Sequence, residues 1–484
     1  DLVPPEFRPS CARVLLASSA EGQCVSDMCE ACWIARLKEI STAATRCCIA
    51  LGPGFHTYLC DIHILGGYDT VLNRVDVLTG YENVVGRIGP GADNPDLRRS
   101  IDRTIALITV RKPAEQITFE EFCRFRDLWA LPGASTVGQP VKLLVGNKPR
   151  SVRGKFASLV HMSDHDIADE ARVHRPAMIY PFRKPDEPVK TRVVQAYDTW
   201  SYMRCSYADH LMASLNGRGN WTTLGMGSEE RSMVRAKLAA QLVVGGGVAV
   251  SLDQSAFDEN QRASLVRYTI GALFDHVARG CRGDVAAELL RLKEAELHSF
   301  DLAEVRVRDT HAPGTSERTL CRWKQGVPSG HKWTGLLDSL LNKAESEWVA
   351  ARLGANIEAG MWQGDDGVLI VGKPLAAEDW EAGYAELGLK VNAAKTWVSR
   401  TRFEFLHELH GPEGAWAMPA RAAKSLLWEK PFTGGSGFTP GHLRKTERWA
   451  EFLRAQRRGL DVTQMALREC TGWFKASGAA QPRM

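Results

Sequence analysis

Met361-Trp362-Gln363-Gly364-Asp365-Asp366-Gly367-Val368-Leu369-Ile370-Val371-Gly372 is the stretch on which the reading of this chain turns. Apolar residues flank Gly364-Asp365-Asp366 on both sides, which predicts a short strand, a tight glycine-led turn and a second short strand. Two adjacent carboxylates on such a turn repel each other, and carboxylates held this way often bind divalent cations. A solvated hairpin turn explains the same letters, because Asp-Gly is a common turn pair and occurs here as Asp366-Gly367. The triplet alone leaves both readings open.

Upstream, Val248-Ala249-Val250-Ser251-Leu252 predicts a buried strand that runs straight into Asp253-Gln254-Ser255-Ala256-Phe257-Asp258. An acid at the end of a buried strand is costly unless its charge is compensated, and a metal compensates it efficiently. Asp253 is therefore the natural partner for Asp365, although a helix N-cap also accounts for Asp253 or Asp258. Between the two acid groups lies Gly326-Val327-Pro328-Ser329-Gly330-His331-Lys332-Trp333-Thr334, a turn opening a helix predicted over about Lys332 to Leu353. Thr334, Asp338 and Asn342 recur every fourth residue and share one face, while Leu336, Leu337, Leu340 and Leu341 supply the buried one. That polar row suits either a sugar or base contact or a plain solvated face. In the segment from Arg183 to Val194, strand alternation puts Lys190 and Arg192 on one side, suited to a triphosphate or to an exposed sheet edge.

Composition narrows the classes. With 484 residues the chain can build a large core in roughly two to three globular units. Its 44% hydrophobic and 24% charged residues exclude wholesale disorder. A net charge of only +4 means that any nucleic-acid groove must concentrate its basic residues locally. The longest uncharged apolar stretch, Leu238 to Leu252, contains Gln241 and three glycines and is too short for a membrane span. No signal peptide is legible, and the start at Asp1 reads as a processed product or a trimmed chain. Seven of the twelve cysteines lie in the first 60 residues. Cys29-x-x-Cys32 and Cys60-x-x-His63 have zinc-like spacings, but the gap between the pairs is too long for a finger loop. Reduced cysteines are expected, and zinc is not.

Residues 1 to about 130 read as mostly helical, with Phe119 to Trp129 as one example. A Gly/Pro/Ser-rich loop, Leu131 to Pro140, is followed by a basic run of Lys142, Lys148, Arg150, Arg153 and Lys155. An extended, proline-punctuated segment covers Arg175 to Gln195, and a charged helical stretch, Leu443 to Arg458, lies in the tail. No solenoid repeat or low-complexity linker interrupts this order, which predicts an α+β fold. Gly245-Gly246-Gly247 lacks the Lys-Ser/Thr of a phosphate loop, and His407-x-x-His410 lacks a metalloprotease pattern.

Taken in order, these motifs resemble the palm and fingers of viral RNA-dependent RNA polymerases over about residues 130 to 410. Lys184, Glu187, Lys190 and Arg192 resemble the finger motif that binds the incoming nucleotide. Asp253-x4-Asp258, Ser329-Gly330-x3-Thr334-x3-Asp338-x3-Asn342 and Gly364-Asp365-Asp366 resemble the three successive palm motifs. Gly388 to Thr396 resembles the fourth, Phe403-Glu404-Phe405-Leu406-His407 the primer-gripping hairpin, and Ser135-x-x-Gly138-x-Pro140 a loop through which template enters. The Gly-Val-Pro-Ser-Gly turn with Asp338 is most similar to enzymes of double-stranded RNA viruses of the partitivirus, amalgavirus, picobirnavirus and totivirus kind. Many positive-strand enzymes carry Asn at the place of Asp338, and Asn342, one turn later, is a candidate to share its ribose-reading role.

The resemblance implies a right-hand fold with an antiparallel palm sheet: a helical extension at 1–130, fingers at 131–245, palm at 246–262, a fingers insertion at 263–320, palm at 321–410 and thumb at 411–484. It implies that Asp253 and Asp365, supported by Asp366, ligate two Mg²⁺ ions, for which Mn²⁺ can substitute. Lys184, Lys190 and Arg192 would hold the triphosphate. Asp258, Ser329, Gly330, Thr334, Asp338 and Asn342 would line the nucleotide and its ribose. Lys395 would be the general acid toward pyrophosphate, with Lys390 the alternative. Implied partners are RNA template and product, nucleoside triphosphates and a viral capsid protein, in host cytoplasm or the virion interior. A reverse transcriptase-type polymerase uses the same palm, but usually with an aromatic residue in place of Asp258. A non-catalytic, capsid-associated RNA-binding protein would be expected to have lost a carboxylate.

Overall fold

The computed structural model describes residues 3, 6–19, 30–66, 81–130, 141–145, 148–152, 154–159, 162–184, 192–309, 316–427, 450–453, 455, 456 and 460. The expected template loop, Arg153, Glu187, Lys190, Cys24, Cys29 and most of the tail fall outside that set.

Helix α1 (Glu30–Leu51) buries Leu37, Ile40, Ala44 and Cys48, spaced by three or four, against Leu59, Cys60, Trp397, Leu409 and Met418. The N-terminal segment is thereby packed on elements some 350 residues downstream. Cys60 Sγ lies 3.6 Å from Cys48 Sγ in this core, while Cys32 is exposed on the helix. Helix α2 (Pro95–Ile105) starts where the Asn94 side chain accepts from the amides of Asp96 and Leu97, each at 3.0 Å, with proline at its first turn. The helix predicted over Phe119 to Trp129 is instead two short ones, Phe119–Arg124 and Arg126–Trp129. The Trp129 indole donates to the Phe122 carbonyl at 3.0 Å, taking the acceptor that a continuous helix would offer to the Arg126 amide.

Strands β1 (Met178–Arg183) and β2 (Val193–Ala196) pair antiparallel. The second begins after Arg192, so the strand alternation expected for Lys190 and Arg192 does not extend to Arg192. Asp198 caps α3 (Thr199–Leu211), and α4 (Ser228–Gly245) stops at Gly246, whose φ of +68° is left-handed. Next come β3 (Val248–Leu252), helices α5 (Ala263–Arg279) and α6 (Gly283–Asp301), and strands β4 (Glu304–Asp309) and β5 (Ser316–Arg322). One four-stranded sheet runs β2-β1-β4-β5, with β1 and β4 parallel.

Helix α7 (Thr334–Arg352) leads into β6 (Ile357–Gln363) and β7 (Asp366–Val371), followed by α8 (Ala377–Glu386) and β8 (Trp397–Ser399). The central sheet has the order β6-β7-β3-β8 and is antiparallel throughout. Every residue of β3 is buried. Val248, Val250 and Leu252 face the main core with α7, and Ala249 faces a second core with Leu238 and Leu242 of α4. Covering both faces explains why this strand is apolar nearly without alternation. Strands β9 (Phe403–Phe405), β10 (Glu408–Gly411) and β11 (Gly414–Ala417) form a three-stranded meander, and α9 (Pro419–Leu427) follows. The α+β class and the antiparallel central sheet agree with the sequence reading. No helix among the described residues is long and apolar enough to cross a membrane.

Candidate functional site

The register of the central sheet brings the acids together. Gly367 of β7 pairs with Leu252 of β3, so one step further along the same ladder Asp366 comes level with Asp253. Gly364 turns the hairpin at φ +64°, a backbone conformation that costs glycine least. Its amide donates to Ser339 Oγ at 2.8 Å. Asp365 at the tip is exposed, and the Asp253 side chain, at the end of a buried strand, is itself 46% exposed. Asp366 is the half-buried member. Burial first, then Asp365 and Asp253, push its carboxyl up to about 7, with Arg421 opposing.

Behind this edge sits a second acidic pair. Asp258 is raised to about 6, chiefly by burial and then by Asp365, while Asp338 and Arg192 pull it down. Asp338 is buried and its carboxyl lies well above the usual range, through burial and then its proximity to Asp258 and Asp365. Asp338 and Asp258 share one hydrogen bond, with the more strongly raised Asp338 as the proton's holder, and buried Asp338 Oδ1 has no hydrogen-bond partner. Glu404 of β9 is pushed up to about 7 by burial and then by Asp366, accepting from the Trp397 indole and the His407 amide, each at 3.2 Å. Asp61, far upstream, receives Arg421 Nε at 2.6 Å and lies 3.6 Å from His407 Nδ1.

The glycine-serine turn is shaped by close backbone approach. A Cβ on Gly326 (φ +60°) would overlap the Asp258 carbonyl oxygen, and one on Gly330 would overlap that of Gln195. Ser329 donates its amide to Gln195 Oε1 at 2.8 Å, and its hydroxyl reaches the same oxygen, fixing the turn to β2. The Thr334 hydroxyl is directed at the carbonyls of His331 and Pro328, at 2.8 and 3.0 Å. The polar row of α7 is therefore not a solvated face: Asp338 and Asn342 are buried, as is Glu345. Asn342 is corrected in particular. Its Nδ2 donates to the carbonyls of Gly364 (3.1 Å) and Asp365 (2.9 Å), and its Oδ1 accepts from Gln254 Nε2 (3.1 Å). Both of its donors are spent and its side chain is fully buried, so Asn342 braces the turn.

Of the expected cations, Lys395 Nζ lies 3.5 Å from Asp253 Oδ2, and Arg192 is exposed near enough to Asp258 to lower its pKa. The Lys184 amide donates to the Arg192 carbonyl at 2.9 Å. The Lys390 side chain is exposed, and its carbonyl accepts from the Ser255 amide at 2.9 Å. Sequence reading missed Gln254, Ser339 and Glu345, which carry no motif; their adjacency to Asp253 or their place on α7 was the only signal.

The all-oxygen donor set of Asp253, Asp365 and Asp366 fits hard divalent cations such as Mg²⁺. Asp365 and Asp253 add to burial in raising the Asp366 carboxyl, and a cation would compensate the negative charge they contribute. Among the described residues, Cys205, Glu296 and His331 also bring ligand-type atoms within 4.8 Å of one another. Arg204 Nε already binds Glu296 at 2.7 Å, however. The Trp333 amide donates to His331 Nδ1 at 3.1 Å, leaving Nε2 to donate to Glu296 at 3.2 Å. This trio is a structural network beneath the turn. Burial would raise Glu296, but Arg204, His331 and Ser201 outweigh it and hold the carboxyl at about 2.

A family described as viral RNA-directed RNA-polymerase matches residues 171–427. The chain is 29% identical over 335 residues to a probable RNA-directed RNA polymerase of Giardia lamblia virus (isolate Wang). That match covers 68% of this chain but only 16% of the relative's length. Among solved structures, the RNA-dependent RNA polymerase of a human picobirnavirus superposes with a TM-score of 0.50 at 14% identity, covering 93% of this chain and 77% of the other. An insertion-loop deletion mutant of that polymerase gives a TM-score of 0.48 at 14% identity, over 78% and 71% of the two chains.

Proposed function

The chain belongs to the viral RNA-directed RNA polymerases and resembles those of double-stranded RNA viruses, and from that premise we propose that it performs template-directed RNA synthesis for genome replication and transcription. The observation that carries the proposal is the convergence of Asp253, Asp365 and Asp366 at the ends of two paired central strands. Asp253 and Asp365 would hold the divalent cations, two Mg²⁺ or Mn²⁺, with Asp366 supporting them. When bound there, such cations would supply activation of a primer 3′-hydroxyl and charge neutralisation of the triphosphate.

The protein's own groups do the rest. Lys184, Lys190 and Arg192 bind the triphosphate, and Lys395, beside Asp253, donates a proton toward the departing pyrophosphate. Asp258, paired with Asp338, accepts from the ribose 2′-hydroxyl and so selects ribonucleotides. Ser329, Gly330 and Thr334 shape the turn against which the nucleotide rests. RNA template and product and nucleoside triphosphates are the substrates, with a capsid protein as partner in host cytoplasm or virion.

The test is template-dependent NMP incorporation with Mg²⁺. Asp365→Asn should lower it on the order of a hundredfold or more, and unchanged incorporation would overturn the assignment. Comparing ATP with dATP separates this activity from reverse transcription.

A further inference from the structure

Gln254 has no place in the chemistry above, yet it is buried immediately after Asp253. Its backbone bridges to Val391, and its side-chain amide points to α7, donating to Asn342 Oδ1 at 3.1 Å and Glu345 Oε2 at 3.4 Å. Asn342 passes the connection on, its Nδ2 donating to the carbonyls of Gly364 and Asp365. The amide orientations are forced. Carbonyl oxygens only accept, so Asn342 must present nitrogen to the turn and oxygen to Gln254, and Gln254 must present nitrogen in return.

We propose that Gln254 and Asn342 form a relay of two amides that sets the spacing between the Asp253 and Asp365 carboxylates. They are thus positioning residues for the cation-holding pair, with Glu345 orienting the outer amide. The relay joins the residue beside one acid to the two carbonyls that bracket the other. A hydrogen-bonded chain of this kind, shielded from water, holds geometry more tightly than exposed loops can. Glu345 is suited to its part because burial keeps it protonated, pushed up to about 8, so the acceptor it offers carries no competing charge.

This inference rests on the reading of Asp253 and Asp365 as cation ligands, and the test separates the two. Mn²⁺ binding to the 484-residue chain is measured by electron paramagnetic resonance, alongside NMP incorporation and thermal midpoints. Gln254→Met, close in shape but without donors, and Asn342→Leu should each weaken Mn²⁺ binding roughly 10–100-fold. Each should lower kcat with KM for the nucleotide within about twofold. The double variant should be no worse than Asn342→Leu alone, because one relay is broken only once. Glu345→Gln keeps an acceptor and should retain wild-type binding, whereas Glu345→Leu should not. Gln254→Asn, polar but too short to reach, replaces Gln254→Met if that variant does not fold. Unchanged Mn²⁺ affinity, or fully additive losses in the double variant, would overturn the relay. A wild-type chain that binds Mn²⁺ but makes no RNA would sink the polymerase reading and leave the relay standing; one that binds no Mn²⁺ would sink the relay too.

Discussion

Replacing Glu345 by glutamine tests whether the helix behind the acids carries a neutral carboxyl. The side chain is 2% exposed, and burial raises its carboxyl from the usual 4.5 to about 8, against the pull of the neighbouring Gln261 and Gln254 amides. The folded state therefore keeps this proton to about pH 8, whereas the unfolded chain releases it near pH 4.5. A raised carboxyl contributes its stability in full below the unfolded value and loses it as pH climbs through the folded one. Each pH unit across that window is worth about 1.4 kcal/mol, so the ceiling is about 5 kcal/mol between the two values. Glutamine does not titrate. In urea melts of the cation-free chain, Glu345→Gln should gain on wild type by about 1 kcal/mol per unit from about pH 5 to about pH 8, then level off. Asp258, Asp366 and Glu404 titrate in both proteins and cancel in the difference. A difference that stays flat with pH would mean that Glu345 is ionised in the fold, and the reasoning would fail.

Gly330→Ala places a Cβ on the Gln195 carbonyl oxygen, so the turn must move off β2. A loss of about 1–3 kcal/mol in melts and a raised KM for nucleotide are expected, and wild-type values for both would refute the packing argument. Arg204→Met leaves Glu296 buried without its guanidinium partner and should cost about 3–5 kcal/mol, with Arg204→Met/Glu296→Leu recovering much of it in the same melts. Asp258→Ala should relax the preference for ribonucleotides at least about tenfold, read as the ratio of ATP to dATP incorporation on one template; an unchanged ratio removes Asp258 from sugar selection.

The parts of the fold that sequence reveals are those whose cause is local. Val248 to Leu252 and Gly367 to Val371 are apolar runs bounded by glycines and acids, and both became adjacent strands of one sheet. The helix after the Pro-Ser-Gly turn was legible from its leucines, and its observed span, Thr334–Arg352, differs from the expected one only at the ends. What escaped depends on what covers each element. A row at Thr334, Asp338 and Asn342 has the same spacing whether it faces water or an acid cluster. Only the arrival of Asp258 against Asp338 and of Gln254 against Asn342 from elsewhere in the chain shows that it faces inward. Likewise nothing near Asp61 announces Arg421, 360 positions away, or the His407 that shares its carboxylate.

The site divides its polar groups by exposure, and the division has a physical reason. The Asp365 carboxylate stands exposed at the tip of a hairpin, where water screens its repulsion from Asp253 and Asp366. An exposed two-residue tip would ordinarily be the least fixed part of a sheet. Here its backbone is held from inside: the Gly364 amide by Ser339, the Gly364 and Asp365 carbonyls by Asn342. Holding the backbone rather than the carboxylates leaves both carboxylate oxygens of Asp365 available while still fixing where they stand. The groups that do the holding are neutral amides and hydroxyls, which lose little on burial once their hydrogen bonds are made. Charged groups in the same places would have drawn the acids inward and competed for them. A buried helix lined with amides and protonated acids is thus the arrangement that can fix an exposed anionic tip without neutralising it.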